Sequence, residues 1–186
     1  MKQVFDFIDL QLTKTEKVVV FAEHHQTIDL LMEKYGKLAV KIDGRTSNKK
    51  KEEAKNFFQR CKKCGIKKEC HSRDINACAE YEYDLTKRVI VGSTSMCEGH
   101  TLTASDTVIF TELWWSPQDH DQAEDRCYGR AGDLHGCTCY YLIAVDTIEE
   151  SIAKVYDLKN KMSAKVLDGR ELDKEEVLTE LLKGGL

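Results

Sequence analysis

The sequence contains no apolar run approaching the ~20 residues that a bilayer-spanning helix needs. Its opening, Met1-Lys2-Gln3-Val4-Phe5-Asp6, lacks the long apolar stretch of a secretory signal. These absences argue against membrane partnership and set the expected location as intracellular: nucleus, cytoplasm or a virus-infected cell. No internal repeat or low-complexity segment is present. There is no G-x-x-x-x-G-K-[ST] phosphate loop and no acidic Asp-Glu-x-His strand end, so the chain has no equipment of its own for holding ATP and magnesium. A net positive charge is also lacking: 28 Lys and Arg against 32 Asp and Glu leave −4. The charge is uneven, however, because residues 34–68 carry an excess of ten basic residues and the remainder is strongly acidic. A local basic stretch is the footprint that phosphate contacts require; a solvated lysine face is the plain alternative.

What is present, over 186 residues, is an α/β pattern of a size suited to one domain. Val18-Val19-Val20-Phe21, Val89-Ile90-Val91 and Val108-Ile109-Phe110 are short continuous apolar runs, the signature of strands buried on both faces of a parallel sheet. Residues 38–42 and 137–145 supply further strands. An amphipathic helix is expected over 1–12, with Val4, Phe5, Ile8 and Leu12 on one stripe. Others are expected over 26–35, over 49–58 with Ser47 as cap and Phe57-Phe58 as anchor, and over 118–126 after the Ser116-Pro117 turn. Thr147-Ile148-Glu149-Glu150 opens a further helix as a capping box, with Ile148, Ile152, Val155 and Leu158 at helical spacing. A short final helix is capped by Asp173. His24 and His25 are adjacent and point apart on most backbones, so a loop role suits them better than a metal.

The eight cysteines of an intracellular chain point to metal or inert thiols before disulfides. Cys61, Cys64, Cys70 and Cys78 follow C-x₂-C-x₅-C-x₇-C, and the first pair, followed by Gly65, resembles a zinc knuckle. His71 could replace Cys70, a Cys₄ iron–sulfur cluster fits the same set, and unmetallated thiols are the third reading. Four protein ligands leave zinc no open position, so its role would be structural. Lys62, Lys63, Lys67 and Lys68 surround the knuckle and offer it a DNA or partner contact on charge alone. Cys137 and Cys139, two apart on a strand, read as buried thiols on one face. Cys97, in a polar loop, is the one cysteine to test for reactivity.

Three stretches carry a family resemblance: Ser93-Thr94-Ser95…Glu98-Gly99-His100-Thr101-Leu102, Glu112-Leu113-Trp114-Trp115-Ser116-Pro117, and Gln122-Ala123-Glu124-Asp125-Arg126 with Arg130 behind it. In that order they resemble the second RecA-like lobe of SWI/SNF-type superfamily-two helicases, and most of all the annealing-helicase branch. The likeness covers roughly residues 17–60 and 85–168. It implies a RecA-like parallel sheet with helices on both faces, with a Cys-rich insertion over 60–84 where the family runs directly from helix to strand, and C-terminal helices over 147–186. It also implies that a first lobe, in cis or in trans, holds ATP and magnesium while this lobe supplies arginines to the γ-phosphate; Arg126 and Arg130 match by position. Gln122, Glu98 and Gly99 fall on the nucleotide side of the signatures. Gly44, Arg45, Thr46 and Lys51, in and after an Asp-Gly-x-Thr turn, and Ser93, Thr94 and Trp115 fall on the side of duplex or forked DNA. The family's second arginine usually lies three residues after the first. Here Gly129 stands there, and a one-residue bulge at that glycine would restore Arg130. Trp114 is expected in the core or at the lobe interface.

Alone, such a chain is not expected to hydrolyse ATP. The competing reading is a non-catalytic module, in which a degenerate lobe and a zinc knuckle recruit nucleic acid or protein. The displaced arginine favours that reading, and the intact Gln122–Arg126 run opposes it.

Overall fold

The computed structural model describes residues 1–67, 74–97, 101–128 and 136–154. Five parallel strands, β1 (Val18–Phe21), β2 (Ala39–Ile42), β3 (Val89–Gly92), β4 (Thr107–Phe110) and β5 (Thr138–Tyr141), lie in the order β2-β3-β1-β4-β5. The pairing Val19↔Ile90 and Val19↔Val108 puts the three most apolar runs side by side at the centre. Alternation along the strands then serves two cores, because successive side chains point to opposite faces. Val19, Phe21, Ile90, Val108 and Phe110 face one side; Val18, Val20, Val89, Val91 and Ile109 face the other.

Helices cover both faces. On one, α1 (Lys2–Leu12) lays Ile8 into the core with Val4, Phe5 and Leu12 beside it, and α2 (His25–Tyr35) contributes Ile28 and Leu31. Gly36 ends α2 with φ +46, a conformation that favours glycine. On the other face, α3 (Asn48–Gln59) buries Ala54 and Phe58, and α4 (Pro117–Asp125) buries Ala123. The RecA-like α/β architecture is therefore as expected.

Local expectations fared unevenly. Phe58 anchors α3, but Phe57 is exposed beneath the Arg60 guanidinium at 4.7 Å, since adjacent helix residues cannot share one face. Ser47 is the N-cap of α3 by position yet makes no side-chain cap hydrogen bond. Residues 148–154 are helical, but the capping is shifted: Thr147 Oγ1 accepts from Glu149 N–H, and Glu150 accepts from Asp146 N–H. Ile152 is buried while Ile148 is exposed. The expected apolar positions Val155 and Leu158, and the final helix, lie outside the described residues. Among the described residues, no helix is long and apolar enough to cross a membrane.

Candidate nucleotide and nucleic-acid interface

Parallel strands deliver their following loops to one edge of the sheet, the edge where open α/β sheets place ligands. The turns after β2, β3 and β4 all arise there, and they carry most of the expected DNA-facing residues. After β2, Asp43 is fully buried and organises its own turn. Its carboxylate accepts from Arg45 N–H, Arg45 Nε and Thr46 Oγ1 at 3.0, 2.9 and 2.8 Å. Burial opposes ionisation of Asp43, but these bonds and Lys41 outweigh it and bring the pKa down to about 2. The Arg45 guanidinium also forks onto Asp29 at 2.9 and 2.7 Å. Arg45 is thus spent on two carboxylates, and the Thr46 hydroxyl on one. Gly44 has open space around its Cβ direction and no positive φ, so nothing in this chain demands glycine there.

The turn delivers the chain to the N-terminus of α3, which lacks both a side-chain cap and an acidic residue in its first turn. Lys49, Lys50 and Lys51 sit there instead, opposite to what the helix dipole favours. Among the described residues they form no ion pair, whereas Lys62 and Lys63 both pair with Glu82, and Lys55 and Lys67 with Glu52. The described lysines beside the knuckle are therefore engaged by shared carboxylates, and Lys49, Lys50 and Lys51 of α3 are left open.

Gly92 ends β3 under a real constraint: a Cβ there would lie 2.6 Å from the Ile42 carbonyl oxygen and 2.7 Å from Met96 Sδ. That close approach admits Ser93, which is buried and accepts from Ser95 N–H, and leaves Thr94 exposed. After β4, Glu112 spans to the N-terminus of α2, accepting from Glu23 N–H at 3.2 Å and Thr27 Oγ1 at 2.9 Å, a carboxylate where a helix dipole rewards one. Trp114 is core, edge-on to Phe21 and Phe110 at 5.4 and 5.3 Å, while Trp115 is 63% exposed.

An aromatic ladder seats α4. Phe21, Phe110 and Tyr141 stack across β1, β4 and β5 at 5.2 and 4.7 Å, and buried His120 packs 4.7 Å from Phe110. His120 Nε2 accepts from Trp114 N–H at 3.0 Å, and burial lowers its pKa, which keeps the ring neutral. Ser116 caps α4 by accepting from Asp119 N–H, with Pro117 in the first turn. Tyr141 donates to Glu124, so this acid is engaged away from Arg126. Gln122 is exposed. Arg126, half-buried at the C-cap, donates Nε only to the Gln122 carbonyl at 3.2 Å and forms no ion pair among the described residues. Its backbone is fixed by Leu102 N–H, which donates to its carbonyl at 2.6 Å.

In the insertion, Cys61, Cys64 and Cys78 bring their sulfurs within 4.8 Å of one another. Cys61 to Cys78 is 3.5 Å and Cys78 to Cys64 is 3.7 Å. Gly65, at φ +73, turns the chain back, and the bridges Arg60↔Lys67 and Cys61↔Tyr83 close the segment at its root. Burial resists ionisation of Cys61, but backbone N–H groups of Glu82, Cys64 and Lys63 prevail and lower its pKa to about 6. A three-thiol corner with one member predisposed to thiolate is a donor set that zinc accepts. Cys137 and Cys139 share a face, 3.9 Å apart and half-buried, and Cys97 is buried, so its thiol lacks the access that reactivity needs.

Arg130, Glu98, Gly99, Cys70, His71 and Lys68 lie outside the described residues. Sequence reasoning missed Gln59, Gly92, Glu112 and His120 as organisers of the site. Glu112 opens a signature and the other three carry no motif of their own; only a three-dimensional neighbour gives each its role.

A family profile described as helicase conserved C-terminal domain matches residues 1–132. The SWI/SNF-related matrix-associated actin-dependent regulator of chromatin subfamily A-like protein 1 of Xenopus tropicalis is 29% identical over 166 residues, 87% of this chain and 15% of that protein. The DNA annealing helicase and endonuclease ZRANB3 of Homo sapiens is 32% identical over 101 residues, 54% of this chain and 9% of that protein. The chain thus spans less than a fifth of these curated relatives' length. The crystal structure of the C-terminal part of the Fun30 ATPase domain superposes with a TM-score of 0.59 over 81% of this chain and 44% of that one, at 21% identity, which is a likeness of fold. The chain belongs to the helicase conserved C-terminal domain family, as a second RecA-like lobe of the SWI/SNF kind.

Proposed function

We propose that this lobe completes an ATP site built mainly by a first RecA-like lobe, in cis or in trans, and grips duplex or forked DNA, as half of a DNA-dependent translocase. The observation that carries the reading is Arg126. Its backbone is held by Leu102 and its helix is seated on the aromatic ladder, yet its guanidinium has no carboxylate partner among the described residues. A preorganised cation left unpaired is what charge developing on a γ-phosphate calls for. Gln122, exposed one turn earlier, flanks it; Glu98, Gly99 and Arg130 complete the nucleotide side by sequence position.

For DNA, the support is the open cationic N-terminus of α3. Lys51 with its neighbours, Gly44, and the exposed Thr94 and Trp115 are its natural contacts; Ser93 and Thr46 shape the turns, and Arg45 is their strut. Phosphate gripped there loses affinity as salt rises. In the insertion, Cys61, Cys64 and Cys78, with Cys70 or His71 as the fourth donor, hold zinc in a structural role. Residues 60–84 and 147–186 are then additions to the lobe's core. The protein works inside the cell, in the nucleus or cytoplasm.

The test is Arg126→Ala in a reconstituted two-lobe enzyme. DNA-stimulated ATP turnover is expected to fall on the order of a thousand-fold with DNA affinity kept; unchanged turnover removes the arginine assignment.

A further inference from the structure

Gln59, the last residue of α3, is completely buried. A primary amide in the interior is costly unless its donor and acceptor are both matched. Here Nε2 donates to the Thr101 carbonyl at 2.7 Å, and Oε1 accepts from Ala104 N–H at 2.6 Å. One amide in one orientation makes both bonds, so Gln59 sets the backbone of 101–104 much as a neighbouring strand would. Leu102, inside that span, is the residue whose N–H holds the Arg126 carbonyl at 2.6 Å.

The main chain of Gln59 is gripped from the opposite side. The last carbonyls of a helix have no partner within it. Those of Gln59 and Arg60 accept from Tyr81 Oη, at 2.8 and 3.2 Å. Tyr81 stands between Cys78 and Glu82, and Glu82 N–H donates to Cys61 Sγ at 3.4 Å. The three-thiol corner and the Arg126 segment are therefore joined through one buried residue: thiols to Tyr81, Tyr81 to the Gln59 carbonyl, the Gln59 amide to 101–104, and Leu102 to Arg126.

We infer that Gln59 is a positioning residue that couples metal occupancy of the Cys61–Cys64–Cys78 corner to the setting of Arg126, making the insertion a metal-dependent brace for the arginine. The inference rests on the zinc and Arg126 readings above. Metal–thiolate bonds of about 2.3 Å would fix a corner that thiol contacts alone hold weakly, and Tyr81 follows Cys78 by three residues and precedes Glu82, whose N–H meets Cys61 Sγ. Metal loss would release Tyr81, fray the end of α3, and loosen 101–104 without disturbing the sheet.

The experiment is hydrogen exchange on the full chain, loaded with zinc and then chelated, with cobalt(II) substitution reporting thiolate ligation by its charge-transfer band. Chelation is expected to speed exchange of the Leu102 and Ala104 amides about tenfold or more while the β1 and β3 amides stay protected. Gln59→Leu is expected to speed the same two amides with the cobalt band intact, and Tyr81→Phe to do so to a smaller degree. Should Gln59→Leu fail to fold, Tyr81→Phe alone decides the link. A cobalt band with Leu102 and Ala104 unmoved by chelation overturns the coupling and leaves the zinc reading standing. Absence of any band overturns the zinc reading, and the coupling with it.

Discussion

Lys17 offers a test of the core by titration. It precedes β1 with no exposed surface, donates Nζ to the Phe58 carbonyl in the last turn of α3, and lies 5.1 Å from the Phe58 ring. Burial lowers its pKa from the ordinary 10.5 to about 8; nearby Asp84 opposes the shift and Arg60 adds to it. The sign follows directly. Below the folded pKa the ammonium is charged in both states, and folding bears the full cost of burying it. Above the unfolded pKa the amine is neutral in both states and that cost is gone. Stability should therefore rise with pH between about 8 and 10.5. The shift corresponds to roughly 3 kcal/mol over the whole window, of which about 2 kcal/mol falls between about pH 7 and pH 9.5. Urea unfolding of the wild type and Lys17→Met, followed by the emission of buried Trp114, isolates this from tyrosines and other lysines, which both proteins share. Methionine keeps an unbranched stem of similar length without the charge. The wild type should gain about 2 kcal/mol on the variant across that interval. A difference that stays constant within about 0.5 kcal/mol would refute the burial argument.

Other expectations follow from single contacts. Gly92→Ala forces a methyl against the Ile42 carbonyl and Met96, and should cost about 1–3 kcal/mol in urea unfolding, more than the same change at Gly44, where the space is open. Ser116→Ala removes the cap of α4 and should cost about 1 kcal/mol, with the 118–126 amides exchanging faster than those of β4. Asp43 and Asp84 are both held near pKa 2: burial opposes ionisation in each, and bonds from Thr46 and Arg45, or from Thr86 and Arg60, prevail. Their contribution is present above about pH 4 and lost as pH falls toward 2, so Asp84→Asn should flatten the acid limb of a circular-dichroism titration. An unchanged limb would show that Asp84 does not anchor Arg60.

The strands and most helices could be read directly, for a physical reason. A run such as Val89-Ile90-Val91 is compatible with little besides a strand covered on both faces, and α1 buries the stripe that its 3.6-residue period marks. The Cys61–Cys64 half of the thiol corner was legible because a knuckle is local: Cys61, Cys64 and the left-handed Gly65 are four residues apart at most. The last signature was legible as well, since Gln122 through Asp125 lie in one short helix with Arg126 at its C-cap. The partners each charge has within the fold were not legible. The charge of Arg45 reads the same in sequence with or without Asp29 beside it, and the lysines of the knuckle read the same as those of α3 until Glu82 and Glu52 engage one group and leave the other open.

The period of each element, the order of the signatures and the Cys61–Cys64 knuckle are thus written in the chain, because they depend on residues a few positions apart. Tertiary structure alone decided which charges are spent, why Gly92 admits no side chain, and how Gln59 reaches Thr101 and Ala104 across more than forty residues. Such contacts arise only when the α3 face and the β3–β4 connection are packed on the same side of one sheet, and their donors and acceptors leave no periodic trace in the chain.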